Sequence, residues 1–132
     1  MRPLGAAWIV AQWNKILSCH RSQADCIVYF VQMKDERGPI KIGVCISLES
    51  RLRALQTANP YQLTLLASVH GSEGIEQALH NLFSSDNLRG EWFRPTKDLL
   101  NLAKHIGILP AEIPSVAEMQ QRLDAISTQL HT

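Results

Sequence analysis

The sequence has few cysteines and no long hydrophobic run, and both shortages exclude protein classes. Its three cysteines, Cys19, Cys26 and Cys45, include no Cys-x-x-Cys pair. An odd number without that spacing argues against a disulfide framework or a structural zinc site and is typical of the reducing cytoplasm, where we expect this protein. No run reaches the ~18–20 apolar residues that a membrane span needs, so we expect no membrane partner.

Charge of one sign is also scarce. The formal net charge is +1, and residues 26–106 hold nine lysines and arginines against eight acidic residues. Proteins that bind nucleic acid through bulk charge carry a strongly basic surface. Any nucleic-acid role must therefore rest on a few locally placed cations.

What is present fits one folded domain. Hydrophobic residues make up 45% of the 132 residues and charged residues 19%, which is a globular composition. Apolar runs rich in β-branched residues predict strands at 26–31, 40–44 and 63–70, and helical apolar spacing appears between and after them. We predict an α+β fold with a small, mostly antiparallel three-stranded sheet flanked by helices.

A charged turn joins the first two strands. Residues 34–37 are Lys, Asp, Glu and Arg, followed by Gly38 and Pro39. Burying four charges is unfavourable, glycine can adopt positive φ, and proline cannot donate to a central ladder. The pattern predicts a hairpin that carries Tyr29 and Lys41 on neighbouring strands.

Cap residues mark where two helices begin. Ser47 and Thr96 each precede a helical pattern, and side chains of this type accept hydrogen bonds from the first turn. Another helical pattern starts near Ser72. On the helix after Ser72, Glu76 and His80 lie four residues apart and share one face.

Terminal segments extend this central region. The apolar spacing of residues 5–18 predicts a packing helix, whose two tryptophans would anchor a partner if they were exposed. Because polar residues interrupt the apolar run of this segment, we expect no signal peptide. Residues 115–118 form a capping box followed by a heptad-like seam, for which core packing and a homodimer through the terminal helices are both open. The predicted parts are an N-terminal helical extension at 1–25, a central domain at 26–106 and a C-terminal helical extension at 107–132.

The polar residues of the central domain suggest phosphodiester chemistry. A hydrolytic nuclease needs a base for water, a cation for the developing phosphate charge and a carboxylate for a divalent metal. Tyr29, Arg51 and Glu76 can fill these three roles, with Lys41 and His80 nearby in the predicted fold.

The order of these residues resembles the GIY-YIG nuclease superfamily. Ile27-Val28-Tyr29, followed after eleven residues by Lys41-Ile42-Gly43, resembles its paired half-motifs on neighbouring strands. Arg51 follows Gly43 by eight residues, as the family arginine does, and Glu76 fits the family's metal-binding glutamate. Together with Asn59-Pro60, Glu76-x-x-x-His80 and Gly90-Glu91-Trp92-Phe93, the set resembles a small branch common in phages, plasmids and bacterial genomes.

The resemblance covers residues 26–106 and implies a DNA endonuclease or nickase. It implies one divalent ion, Mg²⁺ or Mn²⁺, held mainly by Glu76. Tyr29 would position or deprotonate the attacking water, Arg51 would neutralise the transition state, and His80 would act in catalysis or contact phosphate. A non-catalytic nucleic-acid-binding or regulatory module with the same fold is the alternative.

Two positions depart from the superfamily pattern. Ile27 replaces the first glycine, and Lys41 stands where the second tyrosine is usual; a lysine can instead hold the phosphate or help the water to lose its proton. The family's late asparagine has no clear counterpart, and Asn87 or Glu91 can occupy that region.

Further residues are expected to contact DNA or shape the site. Arginines outside the motif would contact the DNA backbone, since phosphate neutralisation supplies most sequence-independent affinity. A tryptophan near the site, Trp92, would stack on bases or pack in the core, and the structural alternative for His80 is to pack on Trp92. The expected nucleic-acid contacts are Arg53, Arg89, Arg94 and Trp92, and the expected structural glycines are Gly43 and Gly90.

Overall fold

A computed structural model describes residues 6–35, 37–108, 123–124 and 126 of the chain. Four α-helices and one antiparallel sheet make up the described fold, so the predicted α+β class is confirmed. The strands are β1 (Ile27–Met33), β2 (Ile40–Cys45), β3 (Leu63–His70), β4 (Asn87–Arg89) and β5 (Trp92–Phe93). The helices are α1 (Ala6–Cys19), α2 (Leu48–Thr57), α3 (Glu73–Leu82) and α4 (Lys97–Ile106).

The sheet has five strands in the order β3-β1-β2-β5-β4. The three long strands lie where the sequence predicted them, but β4 and β5 add a second short hairpin, so a three-stranded sheet was too small. Strands of two or three residues are too short to show the alternation that identifies longer ones. β5 pairs with β2 only at Ile40 and Lys41, so the β2–β5 ladder stops before β2 ends.

Strand register places Tyr29 and Lys41, one residue from each half-motif, on the same face of the sheet. Tyr29 opposes Gly43, and Val31 opposes Lys41, in the β1–β2 ladder. Because successive side chains alternate between faces, Tyr29 and Lys41 project to the same side, on adjacent strands.

Each face of the sheet has its own core. One face, with Val28, Phe30 and Ile42, is covered by α1, α3 and α4, and we call it the three-helix face. The opposite face, with Tyr29 and Val31, packs against apolar residues of α2, and we call it the α2 face. Residues that alternate along β1 and β2 therefore point into different environments.

The predicted N-caps Ser47 and Thr96 are confirmed, and Ser72 caps the helix that was predicted to start near it. The side-chain oxygens of Ser47, Ser72 and Thr96 accept hydrogen bonds from backbone N–H groups three residues later, at 3.4, 3.2 and 3.2 Å. These bonds fix where α2, α3 and α4 begin, and hence where the polar residues of their first turns lie.

The terminal segments contribute to both cores. Ile9 and Trp13 of α1 are buried on the three-helix face. Leu123 is buried on the α2 face, and Asp124 accepts a hydrogen bond of 2.7 Å from the Gln62 amide. Most of the predicted C-terminal seam lies outside the described residues. Within the described ranges, no helix has the length and apolar character needed to cross a membrane.

Candidate active site

Tyr29 lies in the middle of β1 and is fully buried. Its hydroxyl has no hydrogen-bond partner among the described residues. Desolvation raises the pKa of Tyr29 to about 12, while the nearby Arg51 guanidinium opposes the rise without meeting hydrogen-bond geometry. A buried polar group left unpaired costs about 1–3 kcal/mol. This neutral hydroxyl is thus a poorly satisfied group inside an otherwise apolar core.

Gly43 leaves the space that the Tyr29 ring occupies. A Cβ built on Gly43 would lie 2.5 Å from Cζ of Tyr29, which is closer than real Cβ contacts. Glycine is required here by close packing across the ladder and not by its backbone angles.

Arg51 reaches the same region from the first turn of α2. Its backbone N–H bonds to the carbonyl of Ser47, and its side chain is exposed. The guanidinium lowers the pKa of both Tyr29 and Cys45, although burial dominates and leaves the Cys45 thiol with a pKa of about 11. A groove of about 560 Å³ runs beside Arg51 and reaches Glu73 at the start of α3. Arg51 therefore lies between the buried hydroxyl of Tyr29 and the open groove.

Lys41 forms an ion pair with Glu91. Its Nζ donates to Oε2 of Glu91 at 2.7 Å, and the two side chains are 14% and 38% exposed. The ammonium also lies 5.7 Å from the ring centre of Trp92, which opposes Lys41 in the β2–β5 ladder. The backbone carbonyl of Glu91 accepts from the Ile42 N–H at 3.1 Å, so the pair is anchored to β2 at both ends.

Glu76 and His80 approach β2 from α3, on the three-helix side. Glu76 is half-buried, and its pKa is raised first by desolvation and then by the negative charge of Glu91; His80 and Lys41 oppose the rise. His80 donates from Nε2 to the Ile42 carbonyl at 2.9 Å. Its ring meets Phe93 edge-on at 5.0 Å.

The aromatic neighbour of His80 differs from the sequence-based expectation. Packing on Trp92 was the structural alternative considered for His80, but the contact is with Phe93. Side chains alternate along β5, so Phe93 turns into the three-helix core while Trp92 packs with the α2 face.

These residues form one cluster around β2, close to the point where β5 stops pairing. Tyr29, Lys41 and Arg51 belong to the α2 face, and α3 brings Glu76 and His80 to the other side. Glu91 connects the two groups, because its charge raises the pKa of both Tyr29 and Glu76. We call these residues the β2 cluster: Tyr29, Lys41, Arg51, Glu76, His80 and Glu91.

The other predicted contacts lie outside the β2 cluster. Arg53 is exposed and pairs with Glu49 at 3.8 Å on the surface of α2. Arg89 and Arg94 are exposed at the ends of the β4–β5 hairpin. Gly90 has a φ of +57° in the turn of that hairpin, where a non-glycine residue would be strained.

Glu91, and not Asn87, is the residue of the late segment that joins the β2 cluster. The Asn87 amide donates to the backbone carbonyls of Gly90 and Trp92 at 2.8 and 3.3 Å, so it holds the turn. The ion pair between Glu91 and Lys41 was not predicted, because it joins residues fifty positions apart. The only local signal was a glutamate inside an aromatic strand segment.

A divalent cation at the β2 cluster would have few protein ligands, with Glu76 as its main carboxylate. Among the described residues, no group of three histidine, cysteine or acidic side chains is arranged to hold a metal. Mg²⁺ commonly uses one or two carboxylates and keeps several waters. Desolvation and the charge of Glu91 raise the pKa of Glu76, and a cation bound beside this carboxylate would oppose the rise by favouring the ionised form.

Comparison with known proteins gives one family match. The model of the T5orf172 domain matches residues 26–107, which include all of the β2 cluster. No curated protein and no solved structure matches the chain.

Proposed function

Because this chain belongs to the T5orf172 domain family, whose domain is associated with nuclease-like and DNA-binding function, we propose that it is a divalent-metal-dependent DNA endonuclease or nickase. In this proposal the β2 cluster is a site of the GIY-YIG type that hydrolyses phosphodiester bonds. The observation that carries it is the buried hydroxyl of Tyr29, which has no partner among the described residues and lies beside the Arg51 guanidinium. A folding role alone does not account for that hydroxyl.

Tyr29 orients the attacking water. With a pKa of about 12, its phenol is protonated at neutral pH, so it acts as a hydrogen-bonding group and not as a free phenolate. The hydroxyl becomes satisfied when water and substrate enter the site. Its location on β1, an interior strand of the sheet, fixes it more precisely than a surface loop would.

Arg51 neutralises the phosphate in the transition state. Its planar guanidinium carries a positive charge and can donate to two phosphate oxygens. The side chain is exposed beside the groove, so it can reach a backbone phosphate without first being uncovered.

Glu76 would hold the divalent ion, and Mg²⁺ commonly keeps several waters when it has few protein ligands. When bound, the ion supplies positive charge against the scissile phosphate. Lys41 offers N–H donors to the substrate from the other side of β2, and His80 fixes α3 to that strand through the Ile42 carbonyl. This division of roles leaves Arg51 as the cation of the β2 cluster most exposed to DNA.

A non-catalytic nucleic-acid-binding module is the second candidate. The observation that favours it is the ion pair of Lys41 with Glu91, which neutralises the lysine that replaces the usual tyrosine. The net charge of +1 also predicts modest affinity for either candidate.

Cleavage of supercoiled plasmid in Mg²⁺ distinguishes the two functions. We expect nicked or linear product from the wild type, and a loss of at least about 100-fold in Arg51→Ala and Glu76→Ala, as for removal of one transition-state contact. Glu49→Ala and Lys104→Ala remove exposed charges of the same signs elsewhere and should retain cleavage.

The binding module gives a different pattern. It predicts no metal-dependent product, salt-sensitive DNA binding, and unchanged affinity in Glu76→Ala. Cleavage that is equal in the wild type and in both site variants contradicts the proposed nuclease.

A further inference from the structure

Lys41 is the residue whose role the proposed nuclease leaves least defined, and the contacts around it are specific. Its side chain is 14% exposed and is held between the Glu91 carboxylate, at 2.7 Å, and the face of the Trp92 ring, at 5.7 Å. An exposed lysine samples many rotamers, whereas this ammonium is fixed by two different partners. By contrast, the side chains of Arg53 and Glu49 on α2 are 67% and 49% exposed, and the guanidinium nitrogen of Arg53 lies 3.8 Å from Oε1 of Glu49.

We propose that Glu91 is a positioning residue that holds the Lys41 ammonium in the site, so that the functional unit replacing the family's second tyrosine is the Lys41–Glu91 pair. This inference rests on the proposed nuclease. An ammonium has three N–H donors, and the bond to Glu91 uses one of them. The other two can be directed at a phosphate oxygen or at the attacking water.

Pairing changes what the lysine contributes to DNA binding. An ion pair has no net charge, so Lys41 adds little to the sequence-independent attraction for phosphate. It still presents oriented donors where charge develops during the reaction, and oriented donors act on the rate more than on the affinity. Glu91 thus weakens the attraction of Lys41 for phosphate before the reaction and fixes the direction of the remaining N–H donors.

Glu91 is well placed for this role because β5 and β2 hold it from both ends. Its carbonyl accepts from Ile42, and the next residue, Trp92, is paired with Lys41 in the ladder. The carboxylate therefore moves with the strand that carries Lys41. A residue on the exposed β4 strand would lack this coupling.

The decisive experiment measures DNA affinity and cleavage rate separately in variants of this pair. Glu91→Ala frees the Lys41 charge, so without metal we expect tighter DNA binding, with a log–log salt slope steeper by about 0.9. With Mg²⁺ we expect kcat to fall by about 100-fold, because the ammonium is no longer oriented. Glu91→Gln keeps an acceptor for Nζ and should recover part of the lost kcat.

Two controls assign the effect to the pair. The double variant Lys41→Met/Glu91→Ala should lose the gain in affinity and be no slower than Lys41→Met alone. Glu49→Gln breaks the exposed pair with Arg53 and should leave kcat unchanged.

The outcomes separate failure of this inference from failure of the nuclease. A cleaving wild type with an equally fast Glu91→Ala variant overturns the positioning role, as does weaker DNA binding in both Glu91 variants. If the wild type does not cleave, the nuclease proposal fails, and the positioning role fails with it. The salt dependence of DNA affinity, measured without metal, then still shows whether Glu91 neutralises the charge of Lys41.

Discussion

Gly43 lies directly opposite Tyr29 in the β1–β2 ladder, and the Tyr29 ring occupies the space where a Gly43 side chain would start. The glycine that closes the second half-motif is thus a steric partner of the tyrosine that closes the first. This contact therefore affects both stability and the proposed reaction, because the ring that packs on Gly43 carries the unpaired hydroxyl.

Gly43→Ala is expected to destabilise the protein by about 1–3 kcal/mol, the usual cost of overpacking a core. The new methyl group would push the Tyr29 ring away from β2, so cleavage should fall as well. Urea denaturation measures the first effect and plasmid cleavage the second. In a Tyr29→Val background the added cost of Gly43→Ala should shrink; an unchanged cost would contradict the contact.

Tyr29→Phe is expected to abolish cleavage without loss of stability at neutral pH. No hydrogen bond among the described residues is lost, so the free energy of unfolding should stay constant or rise by up to about 1 kcal/mol. Tyr61→Phe, at an exposed tyrosine, is the matched control and should keep cleavage.

The same variant should change the alkaline limb of the stability curve. The folded-state pKa of Tyr29 is about 12, above the ordinary value of 10.0, so the folded protein holds this proton more tightly than the unfolded chain. Its contribution is complete below pH 10 and is lost as the pH rises toward 12. Urea denaturation above pH 10 should therefore show a shallower decline in Tyr29→Phe than in the wild type.

Glu76→Gln is expected to raise the melting temperature at pH 7 while abolishing cleavage. The folded-state pKa of Glu76 is raised above its ordinary value of 4.5, so the ionised carboxylate opposes folding at neutral pH. The advantage of the variant should disappear as the pH falls below 4.5, where wild-type Glu76 is protonated in both states. Thermal melts across this range test the prediction, and Glu49→Gln, at an exposed carboxylate, should show no gain.

Ser72→Ala is expected to cost about 1 kcal/mol of stability, because it removes the N-cap of α3. Glu76 lies in the first turn of that helix, and its N–H bonds to the Ser72 carbonyl. Fraying of the turn should therefore lower cleavage below the melting temperature. Thr96→Ala removes the corresponding cap of α4 and should destabilise similarly with cleavage retained; equal loss in both variants would point to global stability alone.

Local chemistry explains why much of the fold could be predicted. β3 is a mostly apolar run of eight residues, and the caps at Ser47, Ser72 and Thr96 depend on bonds to residues three positions away. Such signals are complete within a short window of sequence. The β4–β5 hairpin was underestimated for the opposite reason: strands this short are recognised only by the pairing of β5 with β2.

The sequence named the residues of the proposed site but not the contacts between them. Motif spacing identified Tyr29, Lys41 and Arg51, since a hairpin and the helix after it fix their relative places. The pairing of Lys41 with Glu91 depends on which face of β5 each residue takes, and one short strand does not reveal that. The same uncertainty assigned His80 to the wrong aromatic neighbour.

The bond between His80 and the Ile42 carbonyl also selects a tautomer. A carbonyl can only accept, so Nε2 must carry the proton, and in a neutral imidazole the lone pair then resides on Nδ1. Any proton that His80 exchanges with a substrate must pass through Nδ1, the ring nitrogen that does not hold the helix to the sheet.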